Sequence, residues 1–202
     1  MSPPWRRRVA EVADLLVWST LMRPPTLGPA RLICVDGHAG SGKSTLGEEL
    51  AAAAVAEGSA DLVHLDDLLD GWEGLADVAG TLERDVLGPL VEGRTGRYRR
   101  YDWHEERFGD LVEVAPVDLL VVEGVGAGAR SYAHLVTTLV WVDAPPALCL
   151  DRGIARDGEK LRPRWVRWRE QELELFRRER SRERADVVVD GTGEAERAVV
   201  WV

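Results

Sequence analysis

The sequence predicts an α/β protein: a three-layer fold with a five-stranded parallel sheet between helices. Three observations point there. Short apolar runs recur along the chain with helical stretches between them, the pattern of parallel strands buried on both faces. A glycine-rich segment, "VDGHAGSGKSTL" (Val35–Leu46), joins the first such run to a helix. The polar residues Asp36, Asp66, Glu123 and Asp143 lie at or just beyond the ends of the apolar runs, where open parallel sheets bind ligands.

Taken in order, Val9–Met22 has apolar residues at helical spacing (Val9, Val12, Ala13, Leu16, then Trp18 or Thr20) and predicts an amphipathic helix. Glu11 and Asp14 interrupt it, so it suits neither a membrane span nor a signal peptide. The stretch Met22–Ala30 contains Pro24, Pro25, Gly28 and Pro29 and reads as a linker. Residues 1–30 thus form an N-terminal helix and linker, and 31–202 the main domain. In that domain Arg31–Asp36 is the first strand, Lys43–Gly58 a helix and Ala60–Asp67 the second strand. Leu75–Gly93 reads as a helix with a kink at Pro89. Arg94–Pro116, rich in aromatic and β-branched residues around turn signals, reads as extended or hairpin structure. Val117–Gly124 and Thr138–Pro145 are buried strands. Helices over Ala147–Asp157 and Pro163–Arg184 and a last strand within Ala185–Gly193 complete the pattern.

Composition narrows the function. The 202-residue chain carries a net charge of −9, which opposes a general nucleic-acid binder but permits a small anionic ligand in a local basic pocket. Its two cysteines, Cys34 and Cys149, fall in apolar runs and suggest neither a disulfide framework nor a zinc site. They read as reduced core thiols of a cytoplasmic protein. The four histidines have no ligand-like spacing.

The segment Gly37–Ser44, "GHAGSGKS", matches G-x-x-x-x-G-K-S/T, the Walker A pattern, in the required strand–loop–helix context. Glycines let such a loop curl so that successive backbone N–H groups face phosphate oxygens, and the helix N-terminus adds its dipole. Gly37, Ala39, Gly40, Ser41, Gly42, Lys43, Ser44 and Thr45 are therefore the expected nucleotide-binding residues. Lys43 is expected on the β- and γ-phosphates, and Ser44 on Mg²⁺. ATP and Mg²⁺ are the expected cofactors.

Asp66 and Asp67 end the second strand. Standing alone, the pair reads as a cap or loop residues. One helix and one strand after a phosphate-binding loop, it suits a base that accepts the proton of an acceptor hydroxyl. Glu123 follows an apolar strand beside the loop and suits Mg²⁺, directly or through water, though a strand-end turn would also place an acid there. Arg152 and Arg156, at i and i+4, share a helix face. They suit either the charge of a transferring phosphoryl group or a solvated surface. Trp165 and Trp168 read as a packing stripe, and the Arg/Glu-rich stretch 162–184 as a solvated helix. Arg97, Arg99 and Arg100 precede Tyr101, and as an extended segment Arg97 and Arg99 would share its face. These arginines suit structure or steering beside a neutral acceptor, or else a phosphate already carried by the substrate.

With these residues in hand, the chain resembles the uridine kinase and phosphoribulokinase superfamily of P-loop kinases, nearest its uridine kinase-like branch. The likeness spans Arg31 to Gly191. It rests on "DGHAGSGKST", "HLDD", "PLVEGRTGRYRRYDW", "LLVVEG" and "VWVDAPPALCLDRGIARD". It implies a nucleoside/nucleotide kinase-like P-loop NTPase fold, with Asp66 as catalytic base and Lys43, Arg152 and Arg156 as its catalytic partners. Arg152 and Arg156 would belong to a mobile lid, and Asp67, Arg100, Tyr101 and Asp102 would border the acceptor. Leu68 and Leu69 stand where uridine kinases usually carry aromatics, and Glu106 lies where they have a base-recognising histidine. The expected function is phosphorylation of a hydroxyl on a small molecule, a nucleoside or related metabolite. The rivals are a nucleoside monophosphate kinase and a non-catalytic ATP-binding module. The expected partner is a small phosphate acceptor, with no nucleic-acid polymer or membrane. The oligomeric state stays open, a homodimer included.

Overall fold

The structure is a computed structural model that describes residues 4–194 and 198–202. Its central sheet has the order β2-β5-β1-β6-β7-β8. The strands are β1 (Arg31–Asp36), β2 (Ala60–His64), β5 (Leu119–Glu123), β6 (Thr138–Asp143), β7 (Val187–Asp190) and β8 (Val199–Trp201). The first five in that spatial order run parallel, and β8 returns antiparallel along β7. The expected five-stranded parallel sheet is therefore corrected to a six-stranded mixed one. β8 is three residues long, too short to show a period in sequence, and it covers an edge that β7 would otherwise leave unpaired.

Alternation along the strands builds two cores, one on each face. Ile33, Val35, Val121, Val140, Val142, Val187 and Val189 face one way. Two helices cover them: α1 (Pro4–Leu21) through Val12, Ala13, Leu16 and Val17, and α2 (Lys43–Glu57) through Leu46, Leu50 and Ala54. Thr20, not Trp18, completes the inward stripe of α1: Thr20 is fully buried and shares a 2.7 Å hydrogen bond with Thr138, while Trp18 is exposed. Leu32, Cys34, Leu120, Val122, Leu139 and Trp141 face the other way. Their cover comes from α3 (Val78–Leu82), α4 (Gly88–Val91), α5 (Pro146–Asp157) and α6 (Arg162–Glu179). Both cysteines are buried and free. Among the described residues no helix is long and apolar enough to cross a membrane.

Two predicted helices are broken. Between α3 and α4 the backbone widens into a π-type stretch, Glu83–Leu87. Pro89 then lies in the first turn of α4, where its missing N–H is not needed. The final charged helix ends at Arg180, whose φ of 52° is left-handed, and α7 (Ser181–Arg184) follows. The extended segment is a separate antiparallel hairpin, β3 (Gly96–Asp102) with β4 (Arg107–Val114), and its register shifts between Arg99 and Tyr101.

Candidate active site

Parallel register carries the polar strand ends to one edge of the sheet. Val35 and His64 both pair with Glu123, and Asp36 pairs with Trp141. The chain leaves β1 for β2 on one side and later places β6 on the other, so the loop after β1 sits at the switch point of the sheet.

That loop is held from below. The buried carboxylate of Asp36 accepts N–H bonds from Gly37 (2.8 Å), Gly126 (2.9 Å) and Gly128 (3.0 Å), tying it to the turn after β5. Gly40 has a φ of 87°, and a β-carbon there would lie 2.3 Å from the Cys149 carbonyl oxygen, so only glycine fits. Gly42, with a φ of 108°, turns the chain into α2 without a side-chain cap, leaving the first N–H groups of the helix for a ligand. Lys43 is buried and donates to the His38 carbonyl (2.9 Å), while Ser44 is exposed and Thr45 half-buried.

A cleft of about 900 Å³ opens beside the loop and brings most of the expected site residues together. Gly40, Gly42, Lys43, Ser44, Thr45, Asp66, Asp67, Glu123, Arg152 and Arg156 all line it. Asp66 opens onto the cleft, where water reaches it, yet the walls crowd it closely. This crowding and the Glu123 charge raise its carboxyl above the usual aspartate range, against Lys43, Arg156 and His64. Its main chain is anchored too, since Trp103 Nε1 donates to the Asp66 carbonyl (3.1 Å). Glu123 is buried and shares a 2.6 Å hydrogen bond with His64 Nδ1; that bond raises the imidazole above its ordinary value. Gly47 of α2 lies so close that a β-carbon would come within 2.9 Å of Glu123 Cγ. Ser44 starts the helical turn that contains this contact.

Arg152 donates to the carbonyls of Gly40 (3.3 Å) and Gly191 (2.9 Å). Arg156 pairs with Asp157 and lies 5.8 Å from the Trp165 ring centre. A second cavity of about 490 Å³ lies where Gly40–Gly42, α1 and the segment after β7 meet, with Arg152 on its wall as well.

The acceptor side departs from expectation. Asp67 lines the cleft but is paired with Arg100 (3.1 Å), and Tyr98, its hydroxyl pushed up to about 12 by burial and by Asp67, donates to it at 3.4 Å. Arg100, Tyr101 and Asp102 are not on the cleft wall. Asp102 is exposed and accepts N–H bonds from His104 and Glu105 (2.9 Å each), which close the hairpin turn and hold its carboxyl below the usual range. Tyr101 is buried edge-on between Trp103 and Phe108 and borders an adjoining recess of about 340 Å³. The bulge at Arg100 explains this. It turns Tyr101 to the buried face beside Tyr98, whereas strict alternation would have kept it with the exposed Arg97 and Arg99. Arg97 is paired with Glu113 and Arg99 with the Gly109 carbonyl.

The cleft wall also holds residues that were not expected there. Trp72 makes edge contacts with Trp103, Trp165 and Trp168, and all four line the cleft. The helical spacing of Trp165 and Trp168 correctly marked them as packed; nothing in it showed that the packed stripe faces a cavity.

No protein-family model matches the chain, and no curated protein matches it. Solved structures do. One, described as a possible uridine kinase from Bacillus stearothermophilus, superposes with a TM-score of 0.65 at 21% identity, covering 88% of this chain and 97% of its own. Another, described as a candidate fructose transport system kinase from Silicibacter sp. TM1040, superposes with a TM-score of 0.55 at 21% identity, covering 86% and 94%. The chain has the fold of these kinase-named structures over nearly their whole length.

Proposed function

We propose that this chain is an ATP- and Mg²⁺-dependent kinase that phosphorylates a hydroxyl of a small molecule, of the nucleoside class. One observation carries the reading: Asp66 opens into the same cleft as Lys43 and Ser44, and Arg152 and Arg156 line it too. Nucleotide binding alone needs no carboxylate opposite the loop, whereas transfer to a hydroxyl does.

In this reading the acceptor hydroxyl gives its proton to the Asp66 carboxylate as its oxygen bonds to the γ-phosphorus. The bond from that phosphorus to the β-phosphate oxygen breaks, and ADP leaves. Lys43 and the two arginines stabilise negative charge on the transferring group. Trp72 and Trp103 give the cleft an aromatic side, and Trp103 fixes the main chain of the base. The site fits Mg²⁺: Ser44 and Glu123 offer the hard oxygen donors this ion takes alongside phosphates, and a cation there would offset the Glu123 charge that, after crowding, raises Asp66. When bound, it supplies charge neutralisation between the phosphates. A nucleoside monophosphate acceptor is less well supported, because Arg97, Arg99 and Arg100 each have a protein partner and none lines the cleft.

The test is product analysis with ATP·Mg²⁺ and separate panels of nucleosides, nucleoside monophosphates and hexoses, with Lys43→Ala as control. A phosphorylated nucleoside formed with stoichiometric ADP, and lost in Lys43→Ala, is expected. ADP release that no acceptor stimulates would refute the reading.

A further inference from the structure

Glu172 lies midway along α6, in the charged stretch that sequence reads as solvated, yet it is only 2% exposed. A carboxylate withdrawn from water is costly unless its oxygens are occupied, and here they are. Oε1 accepts from the backbone N–H of Ala39 (2.8 Å) and from Trp168 Nε1 (2.9 Å), and Oε2 is 3.0 Å from His38 Nδ1. Two consecutive residues of the phosphate-binding loop are thus fastened to a helix more than a hundred residues away. The His38 ring is also wedged edge-on between Phe176 of α6 and Trp141 of β6. Its carbonyl, fixed in the same way, accepts from Ser41 N (3.0 Å) and Lys43 Nζ (2.9 Å).

The same helix engages α5. A β-carbon on Gly153 would fall 2.5 Å from the Trp165 ring, so α5 and α6 meet with no spare room. The neighbouring Arg152 reaches the Gly40 carbonyl. The α5–α6 arm therefore grips the loop at three successive residues: His38 and Ala39 through Glu172, and Gly40 through Arg152.

We propose that Glu172 is a positioning residue of the phosphate-binding loop. By holding the Ala39 N–H and the His38 ring from α6, it sets the curl that aims the following N–H groups at phosphate before nucleotide arrives. It also ties that curl to the position of the arginine-bearing arm. The inference rests on the kinase reading for its nucleotide, but the loop contact itself does not.

Two measurements test it. Calorimetric titration of ATP·Mg²⁺ into Glu172→Leu should give a Kd raised by roughly 10- to 100-fold, the span of a lost hydrogen bond to a charged group. Acceptor KM at saturating ATP should stay within about twofold, a split that a general loss of packing would not produce. Glu172→Gln should remain within about threefold of wild type, since its amide oxygen can still accept from Ala39 and its NH₂ can face His38. Without nucleotide, amide exchange across residues 37–45 should quicken by about tenfold or more in Glu172→Leu. Unchanged affinity and exchange in Glu172→Leu, or Gln behaving like Leu, would overturn the proposal. If Glu172→Leu does not fold, Glu172→Asp takes its place: it keeps the charge but is one methylene too short, and unchanged ATP affinity there overturns the proposal equally. If wild-type protein binds no ATP, the kinase reading fails, and the exchange measurement still decides the role of Glu172.

Discussion

The adjacent carboxylates Asp66 and Asp67 both line the cleft, and they should respond to the same substitution to very different extents. Asp66→Asn removes the proton acceptor with almost no change of shape. Among the described residues its side chain makes no ion pair, and its anchor is the Trp103 bond to the main-chain carbonyl, which asparagine preserves. ATP affinity should therefore stay within a few-fold, while kcat falls by roughly 10²–10⁴, the range for a positioned acid–base group, or about 2.7–5.5 kcal/mol of activation free energy. Asp67→Asn loses its attraction to Arg100. That arginine side chain is 56% exposed, so the pair contributes at most about 1 kcal/mol, and kcat should change by less than about fivefold. The assay is steady-state ADP formation with the best acceptor, alongside calorimetric ATP titration of each variant. A large kcat loss in Asp67→Asn with little in Asp66→Asn would move the base by one residue and refute the reasoning from cleft geometry.

Three further outcomes follow from the same contacts. The acid limb of the kcat/KM profile, which reports the free enzyme, should lie above the usual aspartate range, because Asp66 must be ionised to act and its carboxyl is raised. Glu123→Gln removes a raising charge and should move that limb to lower pH, whereas Arg156→Gln removes a lowering one and should move it to higher pH; shifts of the opposite sign would discard Asp66 as the titrating group. Arg97→Ala and Arg99→Ala should leave acceptor KM within about twofold for nucleosides and monophosphates alike, and a monophosphate preference lost in either variant would install the monophosphate kinase instead. Gly153→Ala gains about 1 kcal/mol of helix propensity but overpacks the Trp165 ring by up to about 3 kcal/mol. The net loss of about 2 kcal/mol should lower Tm by roughly 4–8 °C in a domain of this size, and calorimetry showing no decrease would contradict the packing.

The chain declares some of this architecture and conceals the rest for physical reasons. Apolar runs such as "RLICVD" and "TLVWVD" end at the boundaries that the strands adopt, because a strand buried on both faces admits no polar residue until it reaches the sheet edge. The glycine loop is legible because left-handed backbone and close approach to Cys149 leave no alternative at Gly40. The bulge at Arg100 is not legible: an extra residue in one strand leaves no composition signal, yet it reverses which side chains face the interior. Glu172 is hidden for a related reason. In a stretch where arginine and glutamate alternate, an acid that turns inward, as Glu172 and Glu179 do, is marked only by its partners, and for Glu172 these include the loop around Ala39.

Charge gives a last constraint on how this site can work. A protein of net charge −9 repels a nucleoside triphosphate at long range, and the cleft itself does little to reverse that. Asp66, Asp67, Glu106, Glu123 and Asp157 line it against Lys43, Arg152, Arg156 and Arg164. Side-chain charge alone therefore cannot hold the phosphates. The N–H groups of the curled loop and of the first turn of α2 must supply much of the attraction, and these act only if they converge. Loop geometry then counts for more here than in a cleft rich in lysine and arginine. This is why a buried acid on α6, far in sequence from any phosphate, can bear on nucleotide affinity.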